Sequence, residues 1–206
     1  IGTAGQAVQA STIGGGYANS ATARDTVIAG GSRNTASDAY AAVGGGIQNL
    51  ADAPNTTIAG GAYNRASDDL ATISGGTRNS ASGFSSTIGG GAGNLASDDQ
   101  STVSGGLGNQ ASGAYASIGG GHGNLASGAY TSIPGGFLNE ARGKYSLAAG
   151  FQAKVAEDHP GVFLFADSTN FDFHSAAENE FAVRASGGVR LVTSVDEFGT
   201  PIAGSI

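Results

Sequence analysis

The residues here with the most direct chemical use are three histidines, His122, His159 and His174, and two acidic pairs, Asp68-Asp69 and Asp98-Asp99. Imidazole transfers protons and ligates zinc, and paired carboxylates hold calcium. The spacing supports neither use. No carboxylate or second histidine recurs at ligand distance in sequence from any of the three. Calcium-binding rolls repeat about every nine residues with an acidic ligand in each turn, and asparagine stands in that place here. Serine is abundant, yet no G-x-S-x-G elbow occurs. The run "IGGG" (Ile13–Gly16) has the look of a phosphate cradle, but such a loop needs a following helix and usually a lysine. No segment has a 3.6-residue apolar period. The expectation is a protein with no catalytic residue, no metal site and no cofactor: not an enzyme.

Aromatic contact is the remaining chemistry. Tyr40, Tyr115, Tyr130 and Tyr145 occupy one position of a repeating unit, three residues before an aliphatic. They are candidate ligand-binding residues, an exposed stripe able to stack on sugars or grip a protein. The plainer alternative is that the rings stack on one another or against a second copy. Tyr17, Ile47, Leu107 and Phe137 at one position, and Arg33, Tyr63 and Arg78 at the next, vary most between units.

The unit that positions these side chains has a period of 15 residues without insertion. Its marker is an asparagine, at Asn19, Asn34, Asn49, Asn64, Asn79, Asn94, Asn109, Asn124 and Asn139. Six residues before each lies Ile or Val, two after lies Ala, and a glycine pair falls between. A tenth copy decays over Ala148–Ala156, where Phe151 and Lys154 are read as replacing a glycine and the asparagine.

A fixed period with β-branched residues and glycine punctuation predicts a β-solenoid. At about 3.3 Å per residue one unit has a contour near 50 Å, enough for two short strands and two turns. Ile13 and Ser11 point inward with Thr12 outward, and Asn19 and Ala21 share a face on the return strand. Gly15-Gly16 makes one turn, and Ser-Gly or Ser-Asp after each Ala the other. Coils stacked at about 4.8 Å place identical residues in columns, so the asparagines form a structural ladder of amides. Nine or ten coils give a roll about 45 Å long. One thin coil buries little, so further burial against other copies is expected, and the small, flat Thr57, Thr72, Thr87 and Thr102 column suits a parallel homo-oligomer. Asp38, Asp68 and Asp98 alternate with Ala53 and Gly83, which keeps like charges two coils apart on a solvated edge.

Composition agrees. Of 206 residues 37 are Gly and 4 Pro, without a three-residue period, which excludes collagen. Only 12% are charged, against the composition of disorder. A net charge of −7 opposes binding to nucleic acid or an anionic membrane surface. Cysteine is absent. No apolar run reaches the roughly 18 residues of a membrane span, so no direct membrane insertion of this chain is expected. It opens at Ile1 with no Met, as a piece of a longer protein would, and any export signal or anchor is expected outside it.

The unit "ASIGGGHGNLASG" (Ala116–Gly128) resembles the head repeats of YadA-like trimeric autotransporter adhesins, over about Gln9 to Ala156. The resemblance implies a left-handed parallel β-roll, a homotrimer, and display at the bacterial cell surface, outer-membrane-anchored in the full-length protein. It also implies binding to an extracellular protein or glycan: host matrix, host cells or other bacteria. The coiled-coil stalk and anchoring barrel of that family are missing here. Similar repeats occur in phage and phage-like tail fibres, which leaves a structural or receptor-binding fibre segment as the alternative.

Composition changes after Ala156, with seven of nine Phe from Phe151 onward. The expected domains are 1–156, β-roll head repeats; 157–196, a C-terminal β cap or neck-like element; and 197–206, a linker. Within the cap, Val162–Asp167 reads as a strand with Phe163 and Phe165 on one face. Asn179–Thr193 reads as a hairpin around Ser186-Gly187-Gly188 with Phe181, Val183, Val189 and Leu191 as core.

Overall fold

The computed structural model describes residues 10–190 and Val192. It is an all-β parallel solenoid, with no helix among the described residues. Two sheets run side by side along its whole length. The isoleucine sheet starts at Thr12–Ile13 and advances one rung per coil through Thr57–Ile58 and Ser132–Ile133 to Leu147–Phe151, Phe163–Ala166 and Phe181–Arg184. The alanine sheet runs from Ser20–Ala21 through Glu140–Ala141 to Ala153–Val155 and Phe173–His174. Every pairing is parallel, and through the repeats the register step is the sequence period: Ile13 lies against Ile28, and Ala21 against Ala36.

Strands of two residues are short because each coil must turn twice within 15. The second glycine of each pair makes one turn, with φ of +89° at Gly31 and +90° at Gly61. A β-carbon on Gly31 would collide with the carbonyl oxygen of Gly46, so glycine is required there by contact as well as by torsion. Each coil also carries two left-handed residues that are mostly not glycine, one just before the asparagine (Arg33, Tyr63, Arg78) and one three before the aliphatic (Tyr40, Asn55, Leu70). Between the sheets, isolated parallel bridges link Tyr17, Ser32, Ile47 and so on to Phe137, a third line of rungs that the period alone does not predict.

The core is a file of Ile28, Val43, Ile58 and their successors facing Ala36, Ala51 and Ala66, all at most 1% exposed. Each buried Ile contributes about 2–3 kcal/mol. A third inward column mixes Ala41 and Ala71 with Thr26, Thr56 and Thr131. Its threonine hydroxyls donate to carbonyls of their own turn, as Thr56 does to Ala53 at 2.7 Å, so they are buried without penalty.

The stack is longer than the repeat predicts, with twelve rungs in the isoleucine sheet where nine or ten are expected. The strands of the expected C-terminal β cap or neck-like element continue both sheets. Phe163–Ala166 pairs in parallel with Leu147–Gly150 on one side and Phe181–Arg184 on the other. Phe163 and Phe165 do share a face, but it is the outer one, and Leu164 and Ala166 fill the core. The hairpin reading fails on the described residues. Phe181–Arg184 pairs with a strand of the preceding coil, and Phe181 and Val189 are exposed. Leu191, Thr193 and the 197–206 linker lie outside the described residues.

The tenth coil is corrected as well. It is one residue short, so Phe151 lies against Phe137 and Lys154 against Glu140. Ala153, not Lys154, meets the end of the asparagine ladder, and its N–H donates to Asn139 Oδ1 at 2.9 Å.

Candidate functional site

The tyrosine column lies along the turn that carries the chain from the alanine sheet to the isoleucine sheet. Tyr40, Tyr115, Tyr130 and Tyr145 all take left-handed torsions, φ 58–61°, because the turn needs that conformation and no glycine occupies the place. Each is 44–65% exposed. The structure brings three of the four together. Tyr115 and Tyr130 stack with centroids 4.8 Å apart and planes within 3°, and Tyr130 and Tyr145 stack at 5.3 Å and 12°. Tyr40 stands five coils away, and the guanidinium of Arg24 lies 5.4 Å from its ring centroid.

Stacking decides what the stripe can offer. Ring faces inside the stack are used up against neighbours, each contact being worth about 0.5–1.5 kcal/mol. What remains outward is a row of phenol edges and hydroxyls at coil spacing, suited to hydrogen bonding along an extended partner.

On the opposite turn the variable columns also pair up. Arg33 lies over Tyr17 and Arg78 over Tyr63, at 5.6 and 5.4 Å. Farther along, His122 meets Phe137 edge-on and Phe137 stacks on Phe151. These contacts join neighbouring coils, which a reading of each unit by itself misses.

The asparagines hold the scaffold rigid, in a geometry different from a plain amide-on-amide ladder. Asn79 Nδ2 donates to Gly75 O of its own coil and Gly91 O of the next, at 3.0 and 3.1 Å, while its Oδ1 accepts the backbone N–H of Asn94 at 3.0 Å. The same three bonds recur from Asn19 to Asn124, and direct amide–amide bonds join only Asn109, Asn124 and Asn139. Except at the end-coil Asn19, these side chains are buried, and each reaches a carbonyl of its own glycine turn and a second carbonyl on the next coil, as Asn79 shares the Gly91 carbonyl with the N–H of Thr77.

Toward the C-terminus the polar groups are ionic. Glu140 holds Lys154 and Arg142, at 2.8 and 2.6 Å. Burial pushes the Glu140 carboxyl up, and the hydrogen bonds from Lys154 and Arg142 outweigh it, leaving the group below the ordinary range. Asp167 accepts the backbone N–H of Ser186 and of Thr169 and the Nε–H of Arg184, and these amides hold its carboxyl well below the ordinary range. Arg184 also donates to the carbonyls of Phe151, Thr169 and Phe171.

The histidines do not converge. Among the described residues no three His, Asp or Glu side chains gather as a metal site would require. One pairing is invisible in the sequence: Ser175 Oγ lies 2.7 Å from His159 Nδ1, with Asp158 Oδ1 3.9 Å from the other ring nitrogen. It superficially suggests a nucleophile and its base. Ser175 is buried, however, its oxygen accepts the N–H of Ala156, and it lies one place beyond the pairing of Lys154 with His174, in line with the inward Val155. Its contacts satisfy a polar group at the end of an apolar file.

Residues 101–113 match the family of the ubiquitous surface protein adhesin repeat. No curated protein matches the chain. The matched stretch runs from Ser101 to Gly113, an isoleucine-sheet strand, a glycine turn, the ladder asparagine and an alanine-sheet strand, and the same columns recur in the other eight units. The match bears out the resemblance to trimeric autotransporter adhesin head repeats.

Proposed function

We propose that this chain is the head region of a bacterial cell-surface adhesin. It acts without catalysis, as a rigid roll that assembles as a homotrimer and attaches to extracellular protein or glycan on host matrix, host cells or other bacteria. The observation that carries this reading is an adhesin repeat at 101–113 whose columns recur in register through an unbroken parallel solenoid.

The mechanism is avidity. A stack of equal coils presents equal side chains at about 4.8 Å intervals, so weak contacts repeat along a line and across copies. The Tyr115–Tyr130–Tyr145 edge is the proposed contact row, with Tyr40 as an isolated member. Rigidity lowers the ordering cost of such binding, because the scaffold is already fixed by its ladder.

The test is a glycan and matrix-protein array probed with the assembled chain, its mass measured by light scattering. Retention on a defined ligand, reduced about tenfold by Tyr115→Ala, Tyr130→Ala and Tyr145→Ala together, supports the reading. A monomer at micromolar concentration overturns the trimer, and a triple variant retained like the parent removes the tyrosine row.

A further inference from the structure

Among the described residues, no other element covers the outward face of the isoleucine sheet. Two outward columns flank its buried file, one through Thr57 and Thr102, the other through Ala59 and Ser104. Among the described residues neither column holds a charged side chain, although the chain has 9 Lys and Arg and 16 Asp and Glu. The outward face of the alanine sheet, by contrast, carries Arg65, Glu140 and Lys154 within its strands. An uncharged strip along an acidic rod suits a second copy of the same chain, because like charges facing each other oppose self-association.

That strip has a weakness. Each of its coils presents nearly the same small residues, so a copy displaced by one coil, about 4.8 Å, meets almost the same surface. Flat strands of small residues specify register poorly. Twelve rungs about three residues wide also offer only roughly 500–600 Å² per chain, short of the about 800 Å² per partner of a standard stable interface.

Both shortfalls are met at one end. The columns that carry Thr, Ser, Ala and Gly along the repeats continue into Phe163 and Phe181 on one line and Phe165 on the other. Phe163 and Phe181 stack at 4.8 Å, and Phe163, Phe165 and Phe181 are 38%, 39% and 74% exposed. A side chain of this size on the surface is a large apolar area left to bury. It occurs on the last two rungs only, so displacing a copy by one coil sets Phe163 level with Leu147 and Phe165 level with Ala149, and the collar no longer meets itself in full.

We propose that Phe163, Phe165 and Phe181 form a collar against the same residues of neighbouring copies, which adds the missing apolar area and fixes the axial register in which the chains align. This rests on the homo-oligomer reading above. The experiment is sedimentation velocity on the full chain and on Phe163→Thr/Phe165→Ser/Phe181→Thr, which extends the repeats' own residue types through the collar. Circular dichroism establishes that each folds. The parent is expected as a single assembled mass. The folded variant is expected to half-dissociate at a concentration at least tenfold higher, with its remaining assemblies spread over more than one mass. A variant with the parent's midpoint and single mass overturns the collar while the oligomer stands, and one that weakens yet keeps a single mass overturns the register assignment. A parent monomeric at micromolar concentration overturns the oligomer and the collar with it. If the triple variant does not fold, Phe181→Thr alone, the most exposed of the three, is read by the same criteria.

Discussion

The repeat coils and the last coils use the same two sheets but different fasteners. From Asn19 to Asn139 a neutral carboxamide ties each glycine turn to the next. Beyond Asn139 the register steps change: Gly136 pairs with Gly150, Leu147 with Phe163 and Ala153 with Phe173, steps of 14, 16 and 20 residues. An asparagine reaches two carbonyls only where the turn has a fixed shape. Once turns differ in length, the long guanidinium of Arg184 takes over, reaching carbonyls of Phe151, Thr169 and Phe171 from one side chain. Periodic sequence permits a short neutral fastener, and aperiodic sequence requires a long charged one.

The largest effect that would break this comparison is loss of one ladder amide. Asn79→Leu leaves the Gly75 carbonyl and the Asn94 N–H without their partner, while the Gly91 carbonyl keeps the N–H of Thr77. The expected loss is about 2–6 kcal/mol by urea unfolding, at about 1–3 kcal/mol for each of the two groups left unsatisfied. Next comes a pair of adjacent glycines. Gly76→Ala puts a β-carbon against the Gly91 carbonyl at φ +87° and is expected to cost about 2–4 kcal/mol. Gly75→Ala meets nothing within 4 Å and should cost under about 1 kcal/mol.

The ionic end should fail separately. Arg184→Met is expected to speed hydrogen exchange at least tenfold over Phe163–Arg184 while amides of the asparagine coils keep their protection. Acid sharpens the distinction. The Asp167 carboxyl is held below its ordinary value, so its contribution is complete above the unfolded pKa of about 4 and is lost as pH falls below that. Exchange at pH 3 should therefore loosen the last coils first, since the ladder contains no titratable group. The smallest effect is at the turns. Leu70 is exposed at φ +61°, so Leu70→Gly should stabilise by about 0.5–1 kcal/mol in thermal unfolding.

The period was legible because it is written in residue types: the Ile/Val, Ala and Asn columns lie where spacing puts them. The last two coils were not. Phe163–Ala166 has the alternation of a strand, and nothing local says whether its partner is a hairpin neighbour or the coil before. The tyrosine column was legible as a column, but not that its residues sit in left-handed turns with ring faces pressed together. The third line of bridges escaped because one residue per coil gives no alternation to read.

The sequence by itself determined the coil: its length, its inward residues and its stacking in register, because a strict 15-residue period makes each rung's best partner the next rung. Only the tertiary structure decided that the asparagines bind backbone rather than one another, that Ser175 meets His159, and that Arg184 closes the final turns. It also set the phenylalanines at the end of the uncharged face. Those contacts join residues whose spacing does not repeat, and they form only once the chain has been wound.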